Sequence, residues 1–302
     1  MSRAEPCADT PLAPSILHTR AGGFTLVLMG TVLWSTVGYF VRLAEMDSWS
    51  VVLWRSLFAS LALLPFWLVT ARNRRQALAR ICTPVGLLSV LLGVAGNVTY
   101  IVALQLTTVA TVMTVGAVLP FVAAVLAFLA MREPLTRRFA VAAGLASVGV
   151  VITAGAAMTP GDLAGIGMTL LMVLSWSGII VMARKHPNLD LTLVSLASAL
   201  AAVLVALPVA PAALPSGDAL MACAMLGVLT TGLANVLSLT GGRFIRSGEA
   251  GLLMLLDVVL SPLWVWLAFG EKVGPAELVG GALVIVAVGF YLLGEKPRRA
   301  VA

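Results

Sequence analysis

The chain has 302 residues, 60% of them hydrophobic and only 11% charged, with 19 Lys and Arg against 13 Asp and Glu for a net charge of +6. Soluble domains carry about 25% charged residues, so the composition excludes a water-soluble globular protein. The basic excess does not indicate a nucleic-acid partner, because the Lys and Arg side chains are scattered through loops instead of gathered on one face.

Residues 1–20 are polar and hold Pro6, Pro11 and Pro14, which predicts a disordered tail and not a cleaved signal. Apolar stretches with few charges follow, near 22–41, 48–70, 81–103, 108–130 and 139–156. A turn at Met158-Thr159-Pro160-Gly161 separates them from a second set near 163–183, 191–210, 219–240, 250–269 and 276–293. Each is long enough to cross a hydrocarbon core about 30 Å thick as a helix. The runs are continuously apolar and do not alternate with period two, which favours helices over a barrel. Residues 295–302 form a short basic tail.

The chain repeats itself. Placing residues 87–133 over 225–271 without a gap superposes Asn97-Val98 on Asn235-Val236 and Glu133 on Glu271. Trp34-Ser35 followed by Arg42 recurs as Trp176-Ser177 followed by Arg184. With five spans in each half, 21–156 and 161–294, the halves must face opposite ways across the membrane, a construction shared by many secondary transporters. The expected fold is an all-α integral membrane protein of ten transmembrane helices in two inverted five-helix repeats.

Loop charge sets the orientation. Arg72, Arg74, Arg75, Arg80, Arg132, Arg137, Arg138, Arg184, Lys185, Arg243 and Arg246 fall on one side, and Arg42 and Lys272 among Glu45, Asp47, Asp162, Asp218, Glu271 and Glu277 on the other. By the positive-inside rule both termini are cytoplasmic, in a multi-pass protein of the cell inner (plasma) membrane.

Candidate functional residues follow from what a membrane interior tolerates. Arg55 and Asp257 are the charges placed well inside apolar spans, where an ionised group marks a pathway or proton relay. At 1.5 Å per residue each lies roughly 10 Å from an opposite membrane face, which predicts separate elements and no direct ion pair. Asp257 is the candidate for proton coupling. Asn97 and Asn235, at equivalent positions, are expected to pair across the repeat axis or to bind substrate. Trp34, Tyr39, Tyr100, Trp176 and Trp264 are candidates to line a substrate cavity, together with Trp266, whereas Trp49, Trp54 and Trp67 suit the lipid interface. Pro120 and Pro262 are expected to kink the fourth and ninth spans, either as hinge points that permit rocking or as plain kinks that shape the cavity. In the fifth and tenth spans, Ala142, Ala143, Ala146 and Ser147, then Ala276 and Gly280, give the small-residue spacing of closely packed helices, as scaffold or oligomer contact.

Several motifs together resemble a known family. The segment Ala130-Met131-Arg132-Glu133-Pro134-Leu135-Thr136, the run Leu255-Leu256-Asp257-Val258-Val259-Leu260-Ser261-Pro262-Leu263-Trp264 continuing to Phe269-Gly270-Glu271, Trp54-Arg55 and Ser175-Trp176-Ser177 look like the EamA-type branch of the drug/metabolite transporter superfamily. The family often has Gly where this chain has Arg132, and a Glu-Pro pair where it has Asp257-Val258. The resemblance implies a ten-helix exporter of amino acids, other metabolites or foreign cations, with a central cavity between the repeats.

Enzyme chemistry is not expected. His18 and His186 are the only histidines and both fall outside the spans, and neither a zinc-protease helix motif nor a nucleophile elbow occurs. Cys7, Cys82 and Cys223 have no metal-type spacing. No cofactor, no metal and no nucleotide-binding loop is expected. The expected partners are a small-molecule substrate and the lipid bilayer. A chain carrying both repeats can act as a monomer, and a homodimer stays open.

Overall fold

The computed structural model describes residues 20–293 apart from 72, 133, 134, 156–158, 243 and 246. Glu133, part of the inter-repeat joint, both tails and Cys7 therefore lie outside the described residues. Every regular element described is helical.

Seven helical stretches are long and apolar enough to cross a membrane: Ala21–Ala44, Ser48–Thr70, Pro84–Leu106, Val109–Met131, Arg137–Gly155, Pro160–Lys185 and Gly217–Gly241. Shorter apolar helices cover Leu191–Ala206, Leu256–Phe269 and Pro275–Tyr291. The first stretch divides into α1 (Arg20–Ser35) and α2 (Val37–Ala44). It is followed by α3 (Ser48–Thr70), a short basic helix α4 (Arg74–Ile81) and α5 (Pro84–Leu106). Next come α6 (Val109–Gly116) and α7 (Leu119–Met131), then α8 (Arg137–Gly155). The second half comprises α9 (Pro160–Lys185), α10 (Leu191–Ala206), α11 (Gly217–Met225), a π-helical segment over Leu226–Leu233, α12 (Ala234–Gly241), α13 (Ser247–Met254), α14 (Leu256–Phe269) and α15 (Pro275–Leu292).

Helix ends are set by local chemistry. Asp47 caps α3 by accepting from the backbone N–H groups of Trp49 and Ser50, and Asp190 caps α10 by accepting from Thr192 and Leu193. Thr159 and Asp162 form a reciprocal capping box at α9, with Pro160 at its first turn. Arg132 (φ 54°) and Gly270 (φ 67°), equivalent in the repeat, both end their helices in the left-handed region. Arg132 thus occupies a backbone conformation that suits glycine, the residue at the equivalent position.

The packing obeys the internal repeat. Helix α5 packs on α9 as α12 packs on α1, and α3 packs on the π segment as α10 packs on α5. Helix α8 packs on α15, and α3 on α10, joining like elements of the two halves. In the α8–α15 contact a β-carbon on Gly149 would lie 2.6 Å from the Gly280 carbonyl oxygen, and one on Gly280 would meet the Thr153 hydroxyl. Gly149 and Gly280 therefore face each other, and Ala142 and Ala146 are buried in the same contact, whereas Ser147 is exposed.

Both breaks in the fourth and ninth spans fall at repeat-equivalent places, Ala117-Val118 and Leu255. Pro120 follows the first break, where its missing N–H is harmless in the opening turn of α7. Pro262 instead sits inside α14, seven residues past its break, and does not end the helix. Neither proline lies at the break of its span: Pro120 stands in the first turn after one, and Pro262 lies within a continuous helix. The shared interruption belongs to the repeat, since Val258 stands at the position equivalent to Pro120.

Trp67 also departs from expectation. It is buried at 5% exposure and donates from Nε1 to Asp190 Oδ2 at 3.0 Å, tying α3 to the start of α10 and not to a lipid interface.

Candidate functional site between the repeats

The end of the bundle holding the α2–α3 and α5–α6 connections is termed distal here. The proximal end holds the start of α8 near the end of α15, where Arg138 Nε donates to the Phe290 carbonyl at 2.7 Å.

Helix α3 buries one stripe, including Val51, Val52, Arg55, Ser56, Ala59, Ser60 and Leu63, at three- and four-residue spacing. Arg55 is on that stripe and is only 6% exposed. Its Nη2 donates to Asn97 Oδ1 on α5 at 2.6 Å, and its Nε to Thr231 Oγ1 at 3.3 Å. Thr231 comes from the π segment, whose wider turn re-aims successive side chains. Thr230 turns inward to bond the Leu226 carbonyl at 2.5 Å, while Thr231 reaches Arg55. Gly227 allows this contact, because a β-carbon there would lie 2.5 Å from the Arg55 carbonyl oxygen and 2.8 Å from the Ala59 nitrogen.

Asn97 and Tyr100 are one turn apart on α5, and Tyr100 meets Trp176 of α9 edge to face with ring centroids 5.3 Å apart. Trp176 lies against Gly96, where a β-carbon would be 2.5 Å from its ring. Tyr100 is within Coulombic range of both Arg55 and Asp257. Asp257 is half-buried in the first turn of α14, where the helix dipole favours a carboxylate, and its Oδ1 accepts from the fully buried Ser261 at 2.5 Å. Among the described residues Arg55 and Asp257 form no ion pair.

This cluster has unused hydrogen-bonding capacity. Among the described residues, Ser238 Oγ is the buried side-chain polar atom left without a partner. Arg55 Nη1, Asn97 Nδ2, the Tyr100 hydroxyl, Trp176 Nε1 and Asp257 Oδ2 have no hydrogen-bond partner among those residues.

Other predicted residues are engaged elsewhere. Asn235 donates to Ser195 at 3.3 Å on α10 and does not pair with Asn97, so each asparagine bonds the second helix of a repeat. Trp264 Nε1 donates to Ser35 Oγ at 2.9 Å. Ser177, the repeat equivalent of Ser35, donates to the Leu119 carbonyl at 3.2 Å. The serine of the repeated Trp-Ser pair, fully buried in both halves, is thus the helix tie. Trp34 is half-buried without a ring or hydrogen-bond partner among the described residues. Tyr39 packs on Phe40 and Phe269 and lines a distal concavity of about 370 Å³ with Asp218, Met221 and Met225. A larger groove of about 630 Å³ lies on the flank, between Trp49, Val98, Gln105 and Met168.

The distal end carries a polar clasp that the sequence showed only as loop charges. Arg42 Nε pairs with Glu271 Oε2 at 3.0 Å, and Arg42 Nη2 donates to the Thr107 carbonyl at 3.0 Å. Glu271 Oε1 accepts the Val109 N–H at 2.8 Å, at the N-terminus of α6. Glu277 accepts from the hydroxyls of Thr108 and of Thr111 (2.7 Å), and Asp162 from that of Thr107 at 2.9 Å. The clasp joins the two repeats at one end of the space beside Arg55.

With this architecture described, the comparisons decide the class. The EamA-like transporter family matches residues 21–155 and 163–293, one match for each half. The chain belongs to the EamA-like transporter family. It is a multi-pass membrane protein and a transporter, with a small-molecule substrate and the lipid bilayer as its surroundings. An uncharacterized transporter of Archaeoglobus fulgidus is 27% identical over 273 residues, covering 88% of this chain and 94% of the relative. A protein of known crystal structure superposes with a TM-score of 0.66 at 19% identity, over 93% of this chain and all of the other, so the two share a fold.

Proposed function

We propose that this EamA-like transporter exports amino acids or related small metabolites through the space beside Arg55, Asn97, Tyr100, Trp176 and Asp257. One observation carries the reading: a buried cation, a carboxylate, an amide and two aromatic rings meet between the halves with hydrogen-bonding capacity to spare. Polar groups of both signs beside aromatic faces suit a small amphiphilic metabolite. Efflux of quaternary cations is the second reading, favoured by the Tyr100–Trp176 pair. The fixed charge of Arg55 repels such ligands and ranks that reading second.

Ten crossings are supported by the seven long and three shorter apolar helices. Both termini are proposed to be cytoplasmic, in the plasma membrane, from the loop-charge asymmetry. Asp257 is proposed to carry the proton in any coupling to a pH gradient. Without such coupling the transporter is a uniporter driven by its substrate gradient.

Cells overproducing the protein should release more amino acid and tolerate inhibitory analogues. Resistance to quaternary cations with no amino-acid phenotype would replace the first reading with the second. Reporter fusions at Arg75 and Arg138 should read cytoplasmic and one at Asp162 external; an external signal at Arg138 overturns the topology.

A further inference from the structure

We infer that Arg55 and Asn97 form a docking site for the carboxylate of an organic acid or amino acid, and that this carboxylate is the obligatory recognition element of the substrate. The inference rests on the cluster being the substrate site and adds the chemical group it selects.

Charge is the first support. Arg55 is 6% exposed, yet its hydrogen-bond partners are a neutral amide and a neutral hydroxyl. A buried guanidinium held only by neutral groups keeps its full charge, a costly arrangement that an arriving anion relieves. Among the described residues, the ionisable groups that act on Arg55 are Tyr100 and Cys223, and Asp257 acts on Tyr100. A substrate carboxylate would be the first anion to pair with Arg55 directly.

Donor geometry is the second support. Asn97 Oδ1 is committed to Arg55 Nη2, which fixes the amide orientation and leaves Nδ2 as a donor. Arg55 Nη1 is a second open donor on the adjoining group. A carboxylate offers two acceptor oxygens, matched to two neighbouring donors, and charge-assisted bonds of this kind are about twice as strong as neutral ones. Thr231 and Asn97 hold the guanidinium in place before the ligand arrives, so little ordering is needed on binding. The Tyr100–Trp176 pair lies beside the site to receive the apolar part of the acid.

The test uses the purified full-length protein in phospholipid nanodiscs, with binding read by calorimetry and thermal shift. Matched probes are 3-phenylpropanoate and its amide, then phenylalanine and its amide, with tetraphenylphosphonium as a cation. The acids should bind at least about tenfold more tightly than their amides, the loss of one strong charge-assisted contact. Arg55→Gln should abolish the preference. Asn97→Asp should raise the melting temperature, by giving Arg55 an internal carboxylate, and abolish acid binding. Arg55→Lys keeps the charge without the fork, so it should weaken acids but preserve their rank; it serves as the test if Arg55→Gln fails to fold. A purely structural Arg55 would give Asn97→Asp the same stabilisation with acid binding intact. Amides binding as well as acids, or no acid binding at all, would also overturn the docking site. Acid binding that depends on Arg55, without amino-acid export from cells, leaves the docking site standing and removes the export reading. Export of amino acids and their amides alike, unaffected by Asn97→Asp, does the reverse.

Discussion

Opening of the distal end must break the clasp at Glu271, and its strength can be worked out from its parts. Glu271→Gln keeps the side-chain shape but removes the charge that faces Arg42 and the Val109 N–H. The paired side chains are 25% and 22% exposed, so the pair lies between a surface bridge, worth about 0–1 kcal/mol, and a buried one, whose breakage costs about 3–5 kcal/mol. An intermediate share of about 1 kcal/mol, with about 0.3–1 kcal/mol more for a carboxylate at the α6 N-terminus, gives a total of about 1.3–2 kcal/mol. If the bonds exist only with the distal end closed, the open population rises about 10–30-fold, at a factor of ten for each 1.4 kcal/mol. Val265 is 1% exposed on α14, packed near Val109 and the close approach of Gly38, and so lies beneath the clasp. A Val265→Cys reporter in a background free of Cys7, Cys82 and Cys223 can be labelled with a membrane-impermeant thiol reagent. Glu271→Gln should speed its labelling about 10–30-fold in cells. Arg42→Gln should act in the same direction, and the double variant should fall short of the sum of the two effects. A labelling rate within about twofold of the parent, or full additivity, would show that the clasp does not hold this end shut.

Further expectations concern other parts of the fold. Asp257→Asn should bind substrate but lose dependence of transport on the pH gradient; an unchanged pH profile in vesicles would make the residue structural. Arg132→Gly should raise stability by about 1 kcal/mol by relieving its left-handed backbone, read as a higher melting temperature in detergent, and Gly270→Ala should lower it. Gly227→Ala should cost about 1–3 kcal/mol, because the new methyl meets the backbone of α3 and not a side-chain tip; an unchanged melting temperature would mean that the π segment yields. Asp47→Ala should cost about 1 kcal/mol at neutral pH through loss of the α3 cap. Partial burial pushes the Asp47 carboxyl upward, but hydrogen bonds from Ser50 and Trp49 outweigh it and hold the group below its usual range. Its contribution is therefore present above the unfolded pKa of about 4 and is lost as pH falls through the lower folded value. The difference between parent and Asp47→Ala should shrink in acid, as followed by thermal unfolding across pH.

Much of the fold was legible because a membrane leaves few alternatives. Continuous apolar runs mark helices, and the offset of 138 residues between Asn97 and Asn235 correctly anticipated that the two halves pack in corresponding ways. Arg55 and Asp257 were legible as charges in hydrocarbon. What sequence could not supply was partner choice across the bundle. Asn97 pairs with Arg55 and Asn235 with Ser195, because the second helix of each repeat approaches nearer than the opposite asparagine. The clasp was missed since Arg42 and Glu271, 229 residues apart, read locally as ordinary loop charges. The Trp-Ser repeat did carry a signal for Ser35 and Ser177, but the larger aromatic neighbour drew the assignment. Helix α4 escaped notice because a basic connection shows no apolar periodicity, and the π segment because its composition matches that of the α-helices around it.

The contact of α8 with α15 has a consequence for how the protein is made. Helix α8 leaves the ribosome long before α15 exists, so its Gly149–Thr153 face spends most of synthesis against lipid, with no glycine surface to close on. The first half therefore waits as a loosely associated set of inserted helices, and the final span locks both halves at once. A nascent chain cut short before Pro275 would carry nearly all of the proposed substrate-site residues and still lack the piece that fastens them, leaving it a natural target for the membrane's quality-control proteases.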